Sequence, residues 1–207
     1  MSRRTKEEAE QTRQLLLDTA LTLFAERGIS NTSLKDVASA AGLTHGALYW
    51  HFKNRTNLVE ALYDECRFPI DDIFIDQLQS ARQDALESLG EFITQWSALI
   101  LAEGRPARIW QVFHQGVAHT VELQAISDKI RDEHREWLHL LAKIVKKARK
   151  QKQIAQKPSR GGDPIPAAAL GLIMGITTSI RNTGSGLVDS KQQIKCLTQH
   201  FLYGLEI

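Results

Sequence analysis

Apolar residues recur along this chain at three- and four-residue spacing, and no segment sustains the in-out alternation of a half-buried strand. The pattern predicts an all-helical protein. In a first helix beginning near Lys6, Leu16, Ala20, Leu23 and Phe24 fall on one face, and Gly28 stands where a helix ends. Thr5 with Glu8 has the spacing of a capping box, in which each side chain bonds the other residue's backbone N–H. Ser33 with Asp36 repeats it before a second helix carrying Leu34, Val37 and Ala38 and stopping at Gly42. Thr44 is placed to cap a third helix, His45–His51, and Asn54 a fourth with Leu58, Ala61 and Leu62 inward. Pro69 breaks the pattern. Further helices are expected near 70–83, 85–102, 106–120, 122–153, 164–182 and 189–205. Gly104 with Pro106, the stretch 157–164 and Gly184-Ser185-Gly186 separate them, and 157–164 is the expected mobile loop.

The stretch from Thr32 to Phe52 carries the most information. Two short helices joined by a tight turn at Ala41-Gly42-Leu43 have the layout of a helix-turn-helix, which lays its second helix in the DNA major groove. A net charge of +2 says little by itself, but its distribution does. No acid occurs between Asp36 and Glu60, while His45, His51, Lys53 and Arg55 lie in that gap. A locally acid-free surface is what a phosphate-facing patch needs. Within it, Thr44 and the backbone N–H groups beside it are expected to meet phosphate or a base edge. His45 and Gly46 are placed at the groove floor, Gly46 costing the helix about 1 kcal/mol relative to alanine. Tyr49 offers a hydroxyl to phosphate and a ring to a thymine methyl. His51 and Lys53 come where backbone phosphate should pass, Thr32 and Ser33 hold phosphate across the groove, and Arg3 and Arg4 form an arm toward a phosphate or the minor groove. Leu48 and Phe52 are the expected anchors, and Trp50 is open to either packing or DNA.

The span RQLLLDTALTLFAERGISNTSLKDVASAAGLTHGALYWHFKNRTNLVEALYDE resembles the DNA-binding domain of the TetR family of bacterial transcriptional regulators. The resemblance rests on LFAERG, on T-S-x-x-x-V-A-x-x-A-G, on G-A-L-Y-W-H-F and on K-N-x-x-x-L, and looks most like the AcrR-type subgroup that represses multidrug efflux operons. It implies nine or ten helices: a DNA-binding domain over 1–53, a linking helix four over 54–68, and a ligand-binding, dimerising domain over 69–207. It also implies DNA contacts by Thr32, Ser33, Thr44, Gly46, Tyr49, His51 and Lys53. One departure is His45, where this subgroup often has arginine. Histidine is mostly neutral near pH 7, so the preferred base is left open and a pH-sensitive binding is expected.

Beyond residue 69 the reading rests on residue chemistry. Phe92, Trp96, Ile100, Trp110, Phe113, His114, Trp137 and Met174 could line an apolar pocket for a small lipophilic or aromatic effector, or simply fill a core. Ala167, Ala168, Gly171 and Gly175 form a small-residue stripe, and Ile130, Trp137, Leu141, Ile144 and Ala148 a near-heptad seam. Both suggest a homodimer through the long helix near 122–153 and the helix near 164–182. A dimer suits an inverted-repeat operator, whose half-sites lie about 34–36 Å apart. The lysine-rich run 143–157 reads as a solvated helix end.

Other classes fare worse. Cys66 and Cys196 are far apart, which argues against a disulfide scaffold or zinc ribbon and suits the cytoplasm. The N-terminal MSRRTKEEAEQTRQ lacks the apolar core of a signal peptide, and the apolar run 167–180 is too short to span a bilayer. No HExxH, GxSxG, Walker loop or GxGxxG occurs, so no metal, cofactor or catalytic set is expected. Two alternatives stay open: a DNA-binding factor without an effector, and a helical binding protein or enzyme whose front hairpin is only core.

Overall fold

The computed structural model describes residues 5–65, 81, 83–115, 123–155, 162–183 and 190–205. Arg3, Arg4, Cys66, Pro69, nearly all of the helix expected near 70–83, the end of the one expected near 106–120, most of 157–164 and Gly184–Gly186 lie outside them. Among the described residues the ordered elements are helical. They are α1 (Lys6–Arg27), α2 (Leu34–Ala40), α3 (His45–His51), α4 (Arg55–Glu65), α5 (Ala85–Leu101), α6 (Arg105–Ile109, running into a π-helical turn Trp110–Gln115), α7 (Gln124–Lys150), α8 (Pro164–Thr183) and α9 (Ser190–Tyr203).

The chain forms two compact units. The first comprises Met1–Phe68 with Gly104–Ile130, the second Pro69–Glu103 with Arg131–Ile207. The sequence suggested contiguous domains, whereas α6 and its π turn belong with the DNA-binding motif. The reason is specific bonding within the first unit. Arg105 pairs with Asp18, the Gln111 amide donates to the Ala25 carbonyl at 2.7 Å, and the Phe113 ring meets Tyr63 edge-on at 5.3 Å. Lys129 pairs with Asp64 at 2.6 Å and lies over the Tyr63 ring.

In the second unit α5 is central, with α8 and α9 packed on it. Its apolar face (Leu89, Phe92, Ile93, Trp96 and Ile100) is buried. Gly90 is where α9 comes closest: a Cβ there would stand 2.5 Å from Leu202 Cδ1. Ile176, Ile180 and Ile194 form a cluster with Ala98, Leu101 and Leu172.

The start of α5 is held from two directions. Asp84 caps it, accepting from the Glu87 N–H at 2.8 Å. The turn after α7 inserts two amides: Gln151 accepts from the Ala85 N–H at 2.8 Å, and Gln153 accepts from the Leu86 N–H at 3.1 Å and donates to Asp84 at 2.7 Å. The Glu87 N–H, followed by the Gln153 amide, holds the Asp84 carboxyl below its usual range. At the end of α7, Arg149 grips Asp163, which precedes α8, and donates to the Ala155 carbonyl at 3.0 Å.

The seam expected to face a second copy on α7 is used inside a single chain. Ile130, Trp137, Leu141, Ile144 and Ala148 are all buried. A heptad-like stripe packs equally well on a neighbour of the same subunit, and here it does. The small-residue stripe of α8 faces outward: Ala167, Ala168, Gly171 and Gly175 are exposed, and a Cβ added at Gly171 or Gly175 would meet nothing within 4 Å.

Candidate nucleic-acid interface

The helix-turn-helix is built by local chemistry acting on a shared core. Thr5 and Glu8 form the expected capping box on α1, with Thr5 N–H to Glu8 at 2.9 Å and Glu8 N–H to Thr5 Oγ1 at 3.2 Å. Leu16, Leu17, Ala20, Leu21, Leu23 and Phe24 of α1, Val37 and Ala38 of α2, Leu48 of α3 and Leu58, Val59 and Leu62 of α4 are buried. A seven-residue helix such as α3 is not stable alone, so this core holds it. Between α2 and α3 the backbone turns sharply at Gly42, with φ of 68°, a region costly for a side chain, and Leu43 N–H closes back on the Ala38 carbonyl at 2.9 Å.

Two arginines fix the frame. Arg55 reaches from the start of α4 to the Ser30 carbonyl at 3.3 Å, steadying the loop into α2. Arg13 pairs with Glu65 and lies 5.8 Å from the centre of the Phe52 ring, tying α1 to α4 and to the end of α3.

The DNA-binding candidates divide in the structure. His45, Gly46, Tyr49 and Lys53 are exposed, and His51 is half-buried. Tyr49 is 56% and Trp50 72% exposed, while Leu48 and Phe52 are closed off beneath them. Trp50 is therefore an outward residue, its ring meeting His51 edge-on at 4.6 Å. The signal was available in the sequence: two positions along a helix is about 200° around it, so Trp50 lies almost opposite Leu48. Lys35, exposed on α2, is a further cation beside the motif that the candidate set omitted.

Thr44 is exposed and caps α3 by accepting from the Ala47 N–H at 3.2 Å. Ser33 is exposed and caps α2, but its hydroxyl also donates to Asp36 at 2.6 Å. That hydroxyl bond, with the Ser33 backbone N–H, holds the Asp36 carboxyl below its usual range. Thr32 turns inward. It is 1% exposed and its hydroxyl donates to the Gly28 carbonyl at 2.9 Å, so its side chain supports the loop.

The aromatic candidates fall in both units. In the second, Phe92, Trp96 and Trp137 are buried and packed edge to face, with ring centres 5.2 Å and 4.8 Å apart along the series. His134 continues it at 4.9 Å from Trp137, and its burial lowers the imidazole's affinity for a proton. Ile100 is buried in the same unit and Met174 is half-buried. In the first unit Trp110 stacks on His114 at 4.5 Å, and Phe113 packs on Tyr63. Among the described residues there is no group of three or more side chains able to hold a metal ion, and no helix long and apolar enough to cross a membrane.

Comparison with known proteins agrees with this geometry. Residues 16–62 match the family described as bacterial regulatory proteins, tetR family. The chain is 36% identical over 116 residues to the HTH-type transcriptional regulator AcrR of Shigella flexneri, covering 56% of this chain and 54% of that one. It therefore spans about half the length of that relative. It is 31% identical over 102 residues to the uncharacterized HTH-type transcriptional regulator TtgW of Pseudomonas putida, covering 49% of this chain and 67% of that one. The structure is similar to crystalline NalD, the secondary repressor of the MexAB-OprM multidrug efflux pump in Pseudomonas aeruginosa. That likeness has a TM-score of 0.78 at 27% identity, covering 97% of this chain and 98% of that one. With the helix-turn-helix, the all-helical architecture and these relatives in agreement, the chain belongs to the TetR family of bacterial regulatory proteins.

Proposed function

We propose that this chain is a dimeric transcriptional repressor that binds an inverted-repeat operator through α3 and leaves it when a small lipophilic or aromatic effector binds. The observation that carries the reading is the outward presentation of His45, Gly46, Tyr49 and Trp50 over a closed floor of Leu48 and Phe52, with no acid between Asp36 and Glu60. Thr44, His51, Lys53 and Lys35 border that face and are assigned to phosphate and sugar, with Ser33 at the α2 cap and Arg3 and Arg4 as an arm. Control of an efflux operon is proposed from the relatives, NalD among them. Such a regulator acts in the cytoplasm, where its operator is.

The effector is assigned to Phe92, Trp96, Ile100, Trp137 and Met174. Packed aromatic faces suit flat or cationic lipophiles, and a ligand entering them must part the rings. Trp110, Phe113 and His114, expected to line the same pocket, lie instead in the unit that carries α3. A second copy is assigned to the exposed small-residue face of α8, where helices can approach closely. Release needs unequal affinity for the two states: moving a population from 99:1 to 1:99 takes about 10⁴-fold discrimination. By reciprocity, operator DNA weakens effector binding by the same factor.

A footprint on the DNA upstream of the gene, with and without lipophilic cations, tests the reading. Protection of an inverted repeat that the cation abolishes is expected. Absence of any protected segment at low salt would refute it. Protection indifferent to every ligand, together with unchanged tryptophan fluorescence on titration, would favour a regulator without an effector.

A further inference from the structure

The outward face of α3 is informative in what it lacks. Its seven residues, His45–His51, include no arginine, lysine, asparagine or glutamine. These are the side chains that grip guanine or adenine through paired hydrogen bonds in the major groove. What the face presents instead is an indole, a phenol and an imidazole around a glycine. Trp50 is 72% exposed and Tyr49 56%, adjacent on one short helix. An indole left that far in water sacrifices burial that a partner surface would restore. The His51 ring stands edge-on to the Trp50 ring, at 87°. Gly46 adds reach. The nearest atom to a Cβ built there is Thr44 Oγ1, at 4.0 Å, so on that side the helix backbone itself is the outermost surface. The motif's lysines, Lys35 and Lys53, lie on α2 and beyond the end of α3, positions suited to phosphate.

The apolar feature that the major groove offers is the C5-methyl group of thymine. We propose that Trp50, beside Tyr49, reads thymine methyl groups, and that the operator half-site beneath α3 carries A·T pairs at those positions. The proposal rests on the DNA-binding reading above and names the sequence chemistry of that same site.

The test begins with the full-length protein and a pool of random duplex DNA. Selection is expected to enrich half-sites with A·T pairs at two or more central positions. Each thymine is then replaced singly by deoxyuridine, which removes the methyl group and leaves base pairing and hydrogen-bonding edges intact. Loss of one buried methyl should weaken binding about fourfold at the positions under Trp50 and leave flanking positions unaffected. Trp50→Ala should lower affinity for the thymine duplex and remove the deoxyuridine effect at those positions, while Trp50→Phe retains part of it. Thermal melting verifies that both variants fold, as expected for so exposed a side chain.

Enriched guanine at the central positions, or deoxyuridine duplexes that bind as well as the parent, would overturn the proposal while leaving DNA binding intact. Trp50→Ala weakening thymine and uracil duplexes by one uniform factor would place the indole on sugar and phosphate and overturn it as well. Failure to enrich any duplex would strike the DNA-binding reading itself, at a step before any base is replaced.

Discussion

Replacing Thr32 by valine separates two roles for one residue. The family pattern assigns Thr32 to phosphate, while the structure closes its side chain off and bonds its hydroxyl to the Gly28 carbonyl at 2.9 Å. Valine nearly keeps the shape and deletes that bond. A net loss of about 1 kcal/mol is expected, rising toward about 2 kcal/mol if the Gly28 carbonyl stays buried without a substitute donor. At about 2–4 °C per kcal/mol for a chain of this size, Tm should fall by about 2–8 °C. The backbone N–H and the outward residues of α3 are untouched, so affinity of the folded protein for its selected duplex should change by less than about twofold. A lost hydrogen bond to a charged phosphate would instead cost about 1.5–3 kcal/mol, more than tenfold in Kd. The assay pairs a thermal melt with fluorescence anisotropy on labelled duplex well below Tm, with Thr32→Ser, which keeps the hydroxyl, as control. An unchanged Tm with a tenfold loss of affinity would refute the inward assignment.

Other expectations follow from single contacts. Lys53→Ala should weaken binding evenly across duplex sequences and reduce the slope of log K against log salt by about 1, with Tm unchanged, as read by anisotropy over a salt series. Gly90→Ala places a methyl 2.5 Å from Leu202 Cδ1 and should cost about 1–3 kcal/mol in urea unfolding, relieved in part by Leu202→Ala. Burial lowers the His134 pKa, so below about 6.5 the unfolded chain takes up a proton that the folded chain refuses. Stability is therefore fullest above that pH and falls as pH drops through it toward the folded value. Urea midpoints between pH 8 and 5.5 should show this decline, and His134→Gln should flatten it.

Much of the framework was legible because it is local. The capping residues Thr5, Ser33, Thr44 and Asn54 bond partners three residues on, a distance that any short window of sequence contains. The buried faces of α1, α2 and α4 follow from periodicity for the same reason. What escaped depends on partners remote in sequence or on choices the sequence leaves degenerate. Thr32 looked like a phosphate ligand because a hydroxyl at a loop's end suits either role. The seam on α7 suits a second copy as well as its own subunit, since an apolar stripe does not say which of the two covers it. Gln151 and Gln153 carry no local signal, yet they bond backbone 66 and 67 residues away. The π-helical turn at Trp110–Gln115 has no composition that announces it. Trp50 was decidable from its angle to Leu48, but an aromatic residue in a short helix fits a core equally well on type alone.

The bonds that bring α6 and its π turn to α1 and α4 have a practical consequence. A fragment ending at Phe68 would contain every helix of the reading head and still be missing its brace. Asp18 would lose Arg105, the Ala25 carbonyl would lose Gln111, and Tyr63 would lose both Phe113 and Lys129. The head is thus not a severable cassette. Its shape is completed by residues that the chain supplies only after leaving it and coming back, so grafting it onto another protein requires carrying the returning segment along.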